Sequence, residues 1–184
     1  YIKQFVPDHV IIHSTVPIGT TTEVSKSMDE PTITYSPVRG IHPNLTRFLR
    51  EFPKWFATYD DSEVVNAYLT EAGLQTRIAP SVETMEWMKL WETLEYYYRI
   101  AQWQEIERQY KGMYLPDEAL TAMKEWLFEK RKVYDGDRGL APIMYGGVVG
   151  GHCLIPNLEL LKPKLTPTLY TWLTESNEMR KGES

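Results

Sequence analysis

The chain has 184 residues, of which 42% are hydrophobic and 24% charged, and its formal net charge is −5 at pH 7. This apolar content is enough for a packed core and excludes a wholly disordered chain. No apolar run reaches the about 20 residues that a membrane-spanning helix needs, and the acidic balance makes the chain a poor binder of nucleic acid or anionic membrane.

The first 80 residues alternate predicted strands and helices. Branched apolar residues predict a buried strand at 9–14, and a turn with a short helix capped by a threonine follows within 15–24. The same signals predict strands at 32–36, 54–59 and 75–79, and helices at 44–52 and 62–72. This alternation is typical of a mainly parallel sheet with helical crossovers. Because the chain contains no G-x-G-x-x-G after a first strand and no P-loop, the pattern predicts the second half of a doubly wound sheet.

A long helix is predicted next, with Ser81 as its N-cap and no glycine or proline before Gly112. Apolar residues recur along it at spacings of three or four: Trp87, Trp91, Leu94, Tyr98 and Ala101. A helix of about 30 residues is about 45 Å long, more than the width of a small domain. We therefore expect this stripe to be buried, either in the core of the same chain or in a seam between two copies.

The remaining residues predict two helices separated by an irregular stretch. One helix opens at Pro116 and runs to about residue 132, with Leu120, Met123, Leu127 and Phe128 facing inward. A turn is predicted at 135–139, an irregular segment at 140–165 and a last short helix at 168–179.

These elements divide the chain into three parts: a partial Rossmann-like portion at 1–80, a connecting helix at 81–111, and a helical, loop-rich portion at 112–184. The predicted fold class is α/β, with the second half of a Rossmann-like parallel sheet. No metal-ligand spacing is present, since His9 and His13 flank a strand and do not share a helical face.

Two glycine pairs precede the only cysteine, in the run Gly-Gly-Val-Val-Gly-Gly-His-Cys that ends at Cys153. Glycine pairs bring backbone close to a partner, and a thiol on such a loop is a candidate nucleophile. A lone cysteine is, however, more often a small buried hydrophobe. A single cysteine also excludes an internal disulfide and favours a reducing, cytoplasmic compartment.

Four runs of residues resemble the UDP-glucose/GDP-mannose dehydrogenase family, in the family's order over roughly residues 8–160. The run at 150–157, Gly-Gly-His-Cys-Leu-Ile-Pro-Asn, resembles its nucleophile loop, especially in the branch that oxidises N-acetyl amino sugars. The run at 13–21, His-Ser-Thr-Val-Pro-Ile-Gly-Thr-Thr, resembles a strand, turn and helix late in the family's NAD-binding domain. Tyr-Ser-Pro at 35–37 resembles the end of the family's next strand. Met-Lys-Leu at 88–90 resembles the family's segment that carries a catalytic lysine.

The resemblance implies an oxidation of the primary alcohol of a nucleotide sugar to a carboxylate, in two steps that use NAD. Cys153 would trap the aldehyde as a thiohemiacetal, and hydride loss would give a thioester that water hydrolyses. Lys89 would stabilise the oxyanion and favour the thiolate of Cys153, and Thr15 would lie near the nicotinamide or the activated water. The family's long helix lies at a subunit interface, so the resemblance also implies a homodimer through residues 81–111.

The chain also departs from the family's pattern. Val38 stands where the family has Glu, Thr93 where it has Asn, Asn157 where it has Asp, and Gln104 where it has Asn. An amide cannot serve as a general base in the way a carboxylate can. The family's glycine-rich cofactor half and its C-terminal nucleotide-binding domain have no counterpart in the sequence, so we expect weak NAD binding by this chain alone.

Two hypotheses follow. The chain is a fragment or divergent relative of an NAD-dependent nucleotide-sugar dehydrogenase, impaired or inactive alone, or it is a non-catalytic dimeric binding module descended from that fold. A G-x-G-x-x-G motif encoded upstream would favour the first hypothesis.

Overall fold

The structure is a computed structural model, and it describes residues 4, 7–28, 31–40, 43–59, 61–133 and 143–183. The chain divides into two compact units, residues 1–91 and 92–184, and the division falls within a long helix. The three-part organisation expected from the sequence is a different division of the chain, and it stays a prediction.

The first unit alternates strands with short helices. In chain order these are β1 (His9–Ile12), α1 (Thr20–Lys26), β2 (Thr32–Tyr35), α2 (Leu45–Glu51), β3 (Lys54–Thr58), α3 (Ser62–Glu71) and β4 (Thr76–Ile78). Local signals set the ends of α3: the Asp61 side chain accepts a hydrogen bond from the Glu63 backbone N–H at 2.8 Å, and Gly73, with a φ of 80°, follows the last turn. The strands and helices expected before residue 80 are therefore all present.

Four strands of the described residues form one sheet in the order β1-β2-β3-β4. β1 pairs with β2 and β3 with β4 in parallel, which confirms the α/β fold with a mainly parallel sheet. The central pair, β2 and β3, is antiparallel and is the exception. The link that contains α2 therefore begins and ends at the same sheet edge, so α2 is not a crossover helix.

The two faces of the sheet are covered by different helices. On one face, Tyr35 and Ala57 pack with Val82 and Met85 at the start of α4 (Val82–Gly112). On the other face, Phe56 packs with Val65 and Leu69 of α3. Neighbouring residues of a strand point to opposite faces, which is why Phe56 and Ala57 belong to separate clusters.

Helix α4 forms as predicted, and the Ser81 hydroxyl accepts the Thr84 backbone N–H at 3.1 Å. Its buried side is only partly the predicted stripe: Leu94 and Ala101 are buried, but Trp87 and Tyr98 are 48% and 45% exposed. Most of the buried residues follow a neighbouring line on the helix: Val82, Met85, Glu86, Leu90, Leu94, Tyr97, Ala101 and Gln104. Trp103 is also buried but lies off this line. The predicted stripe was placed on the large aromatic residues. The buried side of α4 was missed because it contains Glu86 and Gln104, two polar residues that form buried hydrogen bonds.

The second unit contains the rest of α4 and further helices: α5 (Ala119–Val133), α6 (Leu154–Leu161), a 3-10 turn (Lys162–Lys164) and α7 (Pro167–Gly182). The expectation of an irregular segment at 140–165 is wrong where α6 forms. Pro156 is compatible with α6 because it lies in the first turn, where a backbone N–H has no partner within the helix. The turn expected at 135–139 lies outside the described residues.

The inward side of α5 also differs from the prediction. Leu120 and Leu127 are half-buried, whereas Met123 and Phe128 are exposed. Met123 lines an apolar groove between α5 and the end of α4 that is open to solvent, and the Phe128 ring lies 4.7 Å from the Lys132 ammonium.

Candidate functional site

The run at 13–21 forms the connection from β1 to α1. It lies at the carboxyl end of a parallel strand, where open α/β sheets bind ligands, and Thr15 is half-buried in it. The N-cap of α1 is Gly19, with a φ of 98°, and not a threonine as expected. Because glycine has no side chain, Gly19 cannot satisfy the first backbone N–H groups of the helix.

Glu86 of α4 supplies the missing cap. Its carboxylate is fully buried and accepts hydrogen bonds from the Gly19 backbone N–H at 2.6 Å, the Thr21 backbone N–H at 2.9 Å and the Thr21 hydroxyl at 2.7 Å. The partial positive charge at the start of α1 compensates the buried negative charge. No role was assigned to Glu86 from the sequence, because its partners Gly19 and Thr21 are more than 60 residues away in the chain.

A second carboxylate attaches α1 to α4 one turn earlier. Glu83 accepts hydrogen bonds from the hydroxyls of Thr22 at 2.5 Å and Tyr59 at 2.6 Å. These hydroxyls, Thr22 first, hold the pKa of Glu83 at about 2. Glu83 and Glu86 therefore both attach the start of α4 to α1, Glu83 through a side chain and Glu86 through backbone and a side chain.

Lys54, at the start of β3, is a second residue that sequence reasoning missed. The residue is 5% exposed, and its ammonium donates to the carbonyl oxygens of Ser36 at 2.7 Å and Pro37 at 2.9 Å, in the Tyr-Ser-Pro run. His13 Nδ1 lies 2.6 Å from the same Ser36 oxygen and 3.4 Å from Lys54 Nζ. Burial lowers the pKa of Lys54 to about 8, and the charge of Lys89 adds to this effect.

Lys89 is half-buried on α4, one turn after Glu86. Met88, the residue before Lys89, packs against the cluster that contains Tyr35 at the end of β2. Val38, also half-buried, follows that strand and donates its backbone N–H to the His13 carbonyl at 3.2 Å. The first unit thus gathers three of the family-like runs at one edge of its sheet: the β1–α1 connection, the end of β2 and the lysine segment.

The glycine loop before Cys153 lies in the second unit and is held by two buried amides. Gln104 of α4 donates to the Gly147 carbonyl at 2.7 Å. Asn177 of α7 accepts the Val149 backbone N–H at 2.6 Å and donates to the Val149 carbonyl at 3.0 Å. Ser176 donates to Oε1 of Gln104 at 2.7 Å, and Gln104 Nε2 donates to Asn177 Oδ1 at 3.5 Å, so the two amides belong to one buried network.

Close approach to another element explains the first glycine of the first pair, Gly146. A Cβ atom on Gly146 would lie 2.9 Å from backbone atoms of Trp103 and Gln104, closer than real Cβ atoms come. The sequence indicated that glycine pairs bring backbone close to a partner, and for Gly146 that partner is the backbone of α4. In the second pair, Gly151 has a φ of 85°, which favours glycine, while a Cβ on Gly150 would meet no atom within 4 Å.

Cys153 is exposed and occupies the N-cap position of α6, so it is not a buried structural hydrophobe. Asn157 is 6% exposed in the same helix, and its backbone N–H donates to the Cys153 carbonyl at 3.0 Å. Cys153 and Asn157 thus lie one helical turn apart, and the bond between them is one of the backbone alone. Thr93 is half-buried on the part of α4 that belongs to the second unit, whereas Thr15 and Lys89 belong to the first.

Among the described residues, no three His, Cys, Asp or Glu side chains cluster as a metal ion would require. In the same part of the chain, no helix combines the length and the apolar character needed to cross a membrane.

Neither a family model nor a curated protein sequence matches this chain. Solved structures share its fold. UDP-D-ManNAc dehydrogenase from Pyrococcus horikoshii is 19% identical, with a TM-score of 0.68 over 94% of this chain and 41% of that chain. NDP-N-acetyl-D-galactosaminuronic acid dehydrogenase from Methanosarcina mazei is 20% identical, with a TM-score of 0.66 over 95% of this chain and 41% of that chain.

UDP-N-acetyl-mannosamine dehydrogenase from S. aureus is 16% identical, with a TM-score of 0.68 over 98% of this chain and 44% of that chain. The chain thus spans less than half the length of each of these three proteins. At these identities the likeness concerns the fold, and for the fold it confirms the resemblance to nucleotide-sugar dehydrogenases.

Proposed function

We propose that this chain is a segment or divergent relative of an NAD-dependent nucleotide-sugar 6-dehydrogenase, impaired or inactive alone. The observation that carries the proposal is the fold shared over 94–98% of the chain with three dehydrogenases named for N-acetylated sugars. A fold alone does not specify a function. The exposed thiol of Cys153 and the packing of Met88, next to Lys89, against the cluster that contains Tyr35 of β2 add support from the residues themselves.

The proposed chemistry centres on Cys153. A nicotinamide cofactor would accept two hydrides in turn, one from the sugar alcohol to leave an aldehyde and one after the thiol has reacted. The thiolate of Cys153 would add to the aldehyde carbon to form a thiohemiacetal, the second hydride loss would leave a thioester, and water would then release the carboxylate and the free thiol. Lys89 would stabilise the negative charge that develops on the oxygen.

The helix start that follows β1, where a doubly wound sheet holds the pyrophosphate of a dinucleotide, is not open in this chain. The first N–H groups of α1 are already bound by Glu86, and α3 and α4 are capped by Asp61 and Ser81. The sequence also has no glycine-rich turn of the kind that holds a pyrophosphate. The nicotinamide acceptor would therefore be held by residues other than those described.

A chimera tests the proposal. This chain replaces the matching segment of the P. horikoshii dehydrogenase, so that the remaining parts of that protein come from the relative. We expect NADH formation from UDP-N-acetylmannosamine and NAD, measured by absorbance, and a loss of at least about 100-fold in a Cys153→Ala chimera. A chimera that unfolds cooperatively on heating, and so is folded, but forms no NADH would contradict the proposal.

A non-catalytic dimeric module is the second candidate. It is favoured by Val38, which replaces an expected carboxylate, and by the exposure of Trp87 and Tyr98 on α4. Exposed aromatic residues on one helix suit a contact with a second copy of the chain. This candidate predicts a dimer and an inactive chimera, while the first predicts a dimer and an active one.

We expect the homodimer to form through residues 81–111, with twice the 21.5 kDa mass of one chain in light scattering. Trp87→Glu should shift the dimer towards monomer, because it places a charge in the apolar contact. Met179→Glu is the matched control, since Met179 is 55% exposed on α7 and outside the expected interface. A monomer at about 100 µM, or equal effects of both variants, would contradict the expected interface.

A further inference from the structure

We propose that Glu86 is a positioning residue, which fixes the loop that carries Thr15 relative to the helix that carries Lys89 by capping α1 from α4. The inference rests on the proposed function, because the resemblance gives Thr15 and Lys89 their roles. It goes beyond that function because nothing in the resemblance assigns a role to Glu86.

The contacts of Glu86 leave the start of α1 little freedom. Helix α1 has only seven residues, and its N-cap, Gly19, provides no side-chain oxygen. The cap therefore depends on three hydrogen bonds from Gly19 and Thr21 to one fully buried carboxylate. Moving α1 away from α4 would leave that charge unpaired in the interior, which is strongly unfavourable.

The same bonds act on the two segments that carry the expected site residues. Thr15 lies four residues before Gly19. The turn at 17–20, which follows Thr15 and contains Gly19, is closed by a hydrogen bond from the Thr20 backbone N–H to the Pro17 carbonyl at 3.2 Å. Lys89 lies three residues after Glu86 on α4, a rise of about 4.5 Å along the helix. Glu86 therefore joins the loop and the lysine segment by a short and rigid path.

Glu83 provides a matched control for this role. It also joins α1 to α4, through Thr22, and it reaches Tyr59 as well. It does not bind the backbone N–H groups at the start of α1, and it is half-buried, whereas Glu86 is fully buried. Loss of Glu83 should therefore weaken the attachment of α1 without releasing the loop before it.

Amide hydrogen exchange of the full chain, followed by NMR, tests the positioning role. In Glu86→Gln we expect exchange at least about 10-fold faster at Gly19 and Thr21, with Val65 and Leu69 of the α3 core unchanged. In Glu83→Gln, exchange at Gly19 and Thr21 should stay as in the parent chain. If Glu86→Gln does not fold, Thr21→Val removes only one of the three bonds and should accelerate exchange at the same two amides to a smaller degree.

Unchanged protection at Gly19 and Thr21 in Glu86→Gln would overturn the inference, as would equal acceleration in Glu83→Gln. The active chimera provides a second readout: Glu86→Gln should lower kcat about 10-fold or more with a KM for the nucleotide sugar within about 2-fold, and Glu83→Gln should not. An active chimera with an unchanged kcat in Glu86→Gln would overturn the positioning role and leave the proposed function standing. If the chimera is inactive, the proposed function fails and the exchange measurements alone decide the role of Glu86.

Discussion

Lys54 is the buried residue that we expect to make the stability of the first unit depend on pH. The residue is 5% exposed, and within the described residues its ammonium donates to two carbonyl oxygens rather than to a carboxylate. Carbonyl dipoles only partly replace the water lost on burial, so the charged form is disfavoured and the pKa is lowered to about 8.

This pKa predicts that stability rises with pH in the alkaline range. An unfolded lysine keeps its proton up to about pH 10.5, whereas the folded Lys54 loses it near 8, so the unfolded state binds more protons between these values. The free energy of unfolding from Lys54 should rise by about 2 kcal/mol between pH 7.5 and 9.5. Tyr35, whose pKa is raised by burial and by the charge of Glu86, acts in the opposite direction only above about pH 10.

Urea unfolding at several pH values checks this prediction, with Lys54→Met as the control. The variant keeps a similar chain length without the charge, so it should be more stable than the parent near pH 7.5 and lose most of that advantage by pH 9.5. Parallel pH profiles of the parent and Lys54→Met would show that the charge of Lys54 is not the cause.

The elements show which structural signals were readable in the sequence. Branched apolar runs and helix caps predicted all four strands and the long helix, because these signals are local. The antiparallel β2–β3 pair and the buried line of α4 were not readable in the same way. Glu86 and Gly19 are 67 residues apart, and Gln104 and Gly147 are 43 apart, so their roles depend on tertiary packing.

The glycine loop provides a prediction at this scale. Gly146→Ala should destabilise the second unit by about 1–3 kcal/mol, because its Cβ would be forced against the backbone of Trp103 and Gln104. Gly150→Ala is the matched control, since a Cβ there meets nothing within 4 Å, and its effect should stay within about 0.5 kcal/mol. Thermal unfolding of both variants measures the difference, and equal melting temperatures would contradict the close contact at Gly146.

At the scale of the whole molecule, the order of short runs predicted the family-like fold, while the chemistry of the site stayed beyond the sequence. Thr15 and Lys89 belong to the first unit, and Cys153 and Asn157 to the second. The resemblance assigned their roles, but it could not give the contacts of Glu86 and Lys54 that hold the first unit's edge together.

The whole chain should bind NAD poorly. The helix start after β1 is occupied by Glu86, and no glycine-rich turn is present in the sequence. Titration calorimetry should detect no binding tighter than about 1 mM, a binding free energy of about −4 kcal/mol. Micromolar binding would show that the chain forms a dinucleotide site by another route.

The covalent state of Cys153 during turnover tests the proposed dehydrogenase chemistry most directly. Asn157 stands where the family has Asp, and an amide cannot accept a proton from the attacking water as a carboxylate can. In the chimera supplied with UDP-N-acetylmannosamine and NAD, we therefore expect the thioester on Cys153 to accumulate and to be detected by mass spectrometry after an acid quench. Asn157→Asp should reduce the amount of this adduct and raise the steady-state rate of NADH formation. The proposed chemistry would be contradicted if both chimeras formed NADH with an unmodified Cys153 and Asn157→Asp had no effect on the rate.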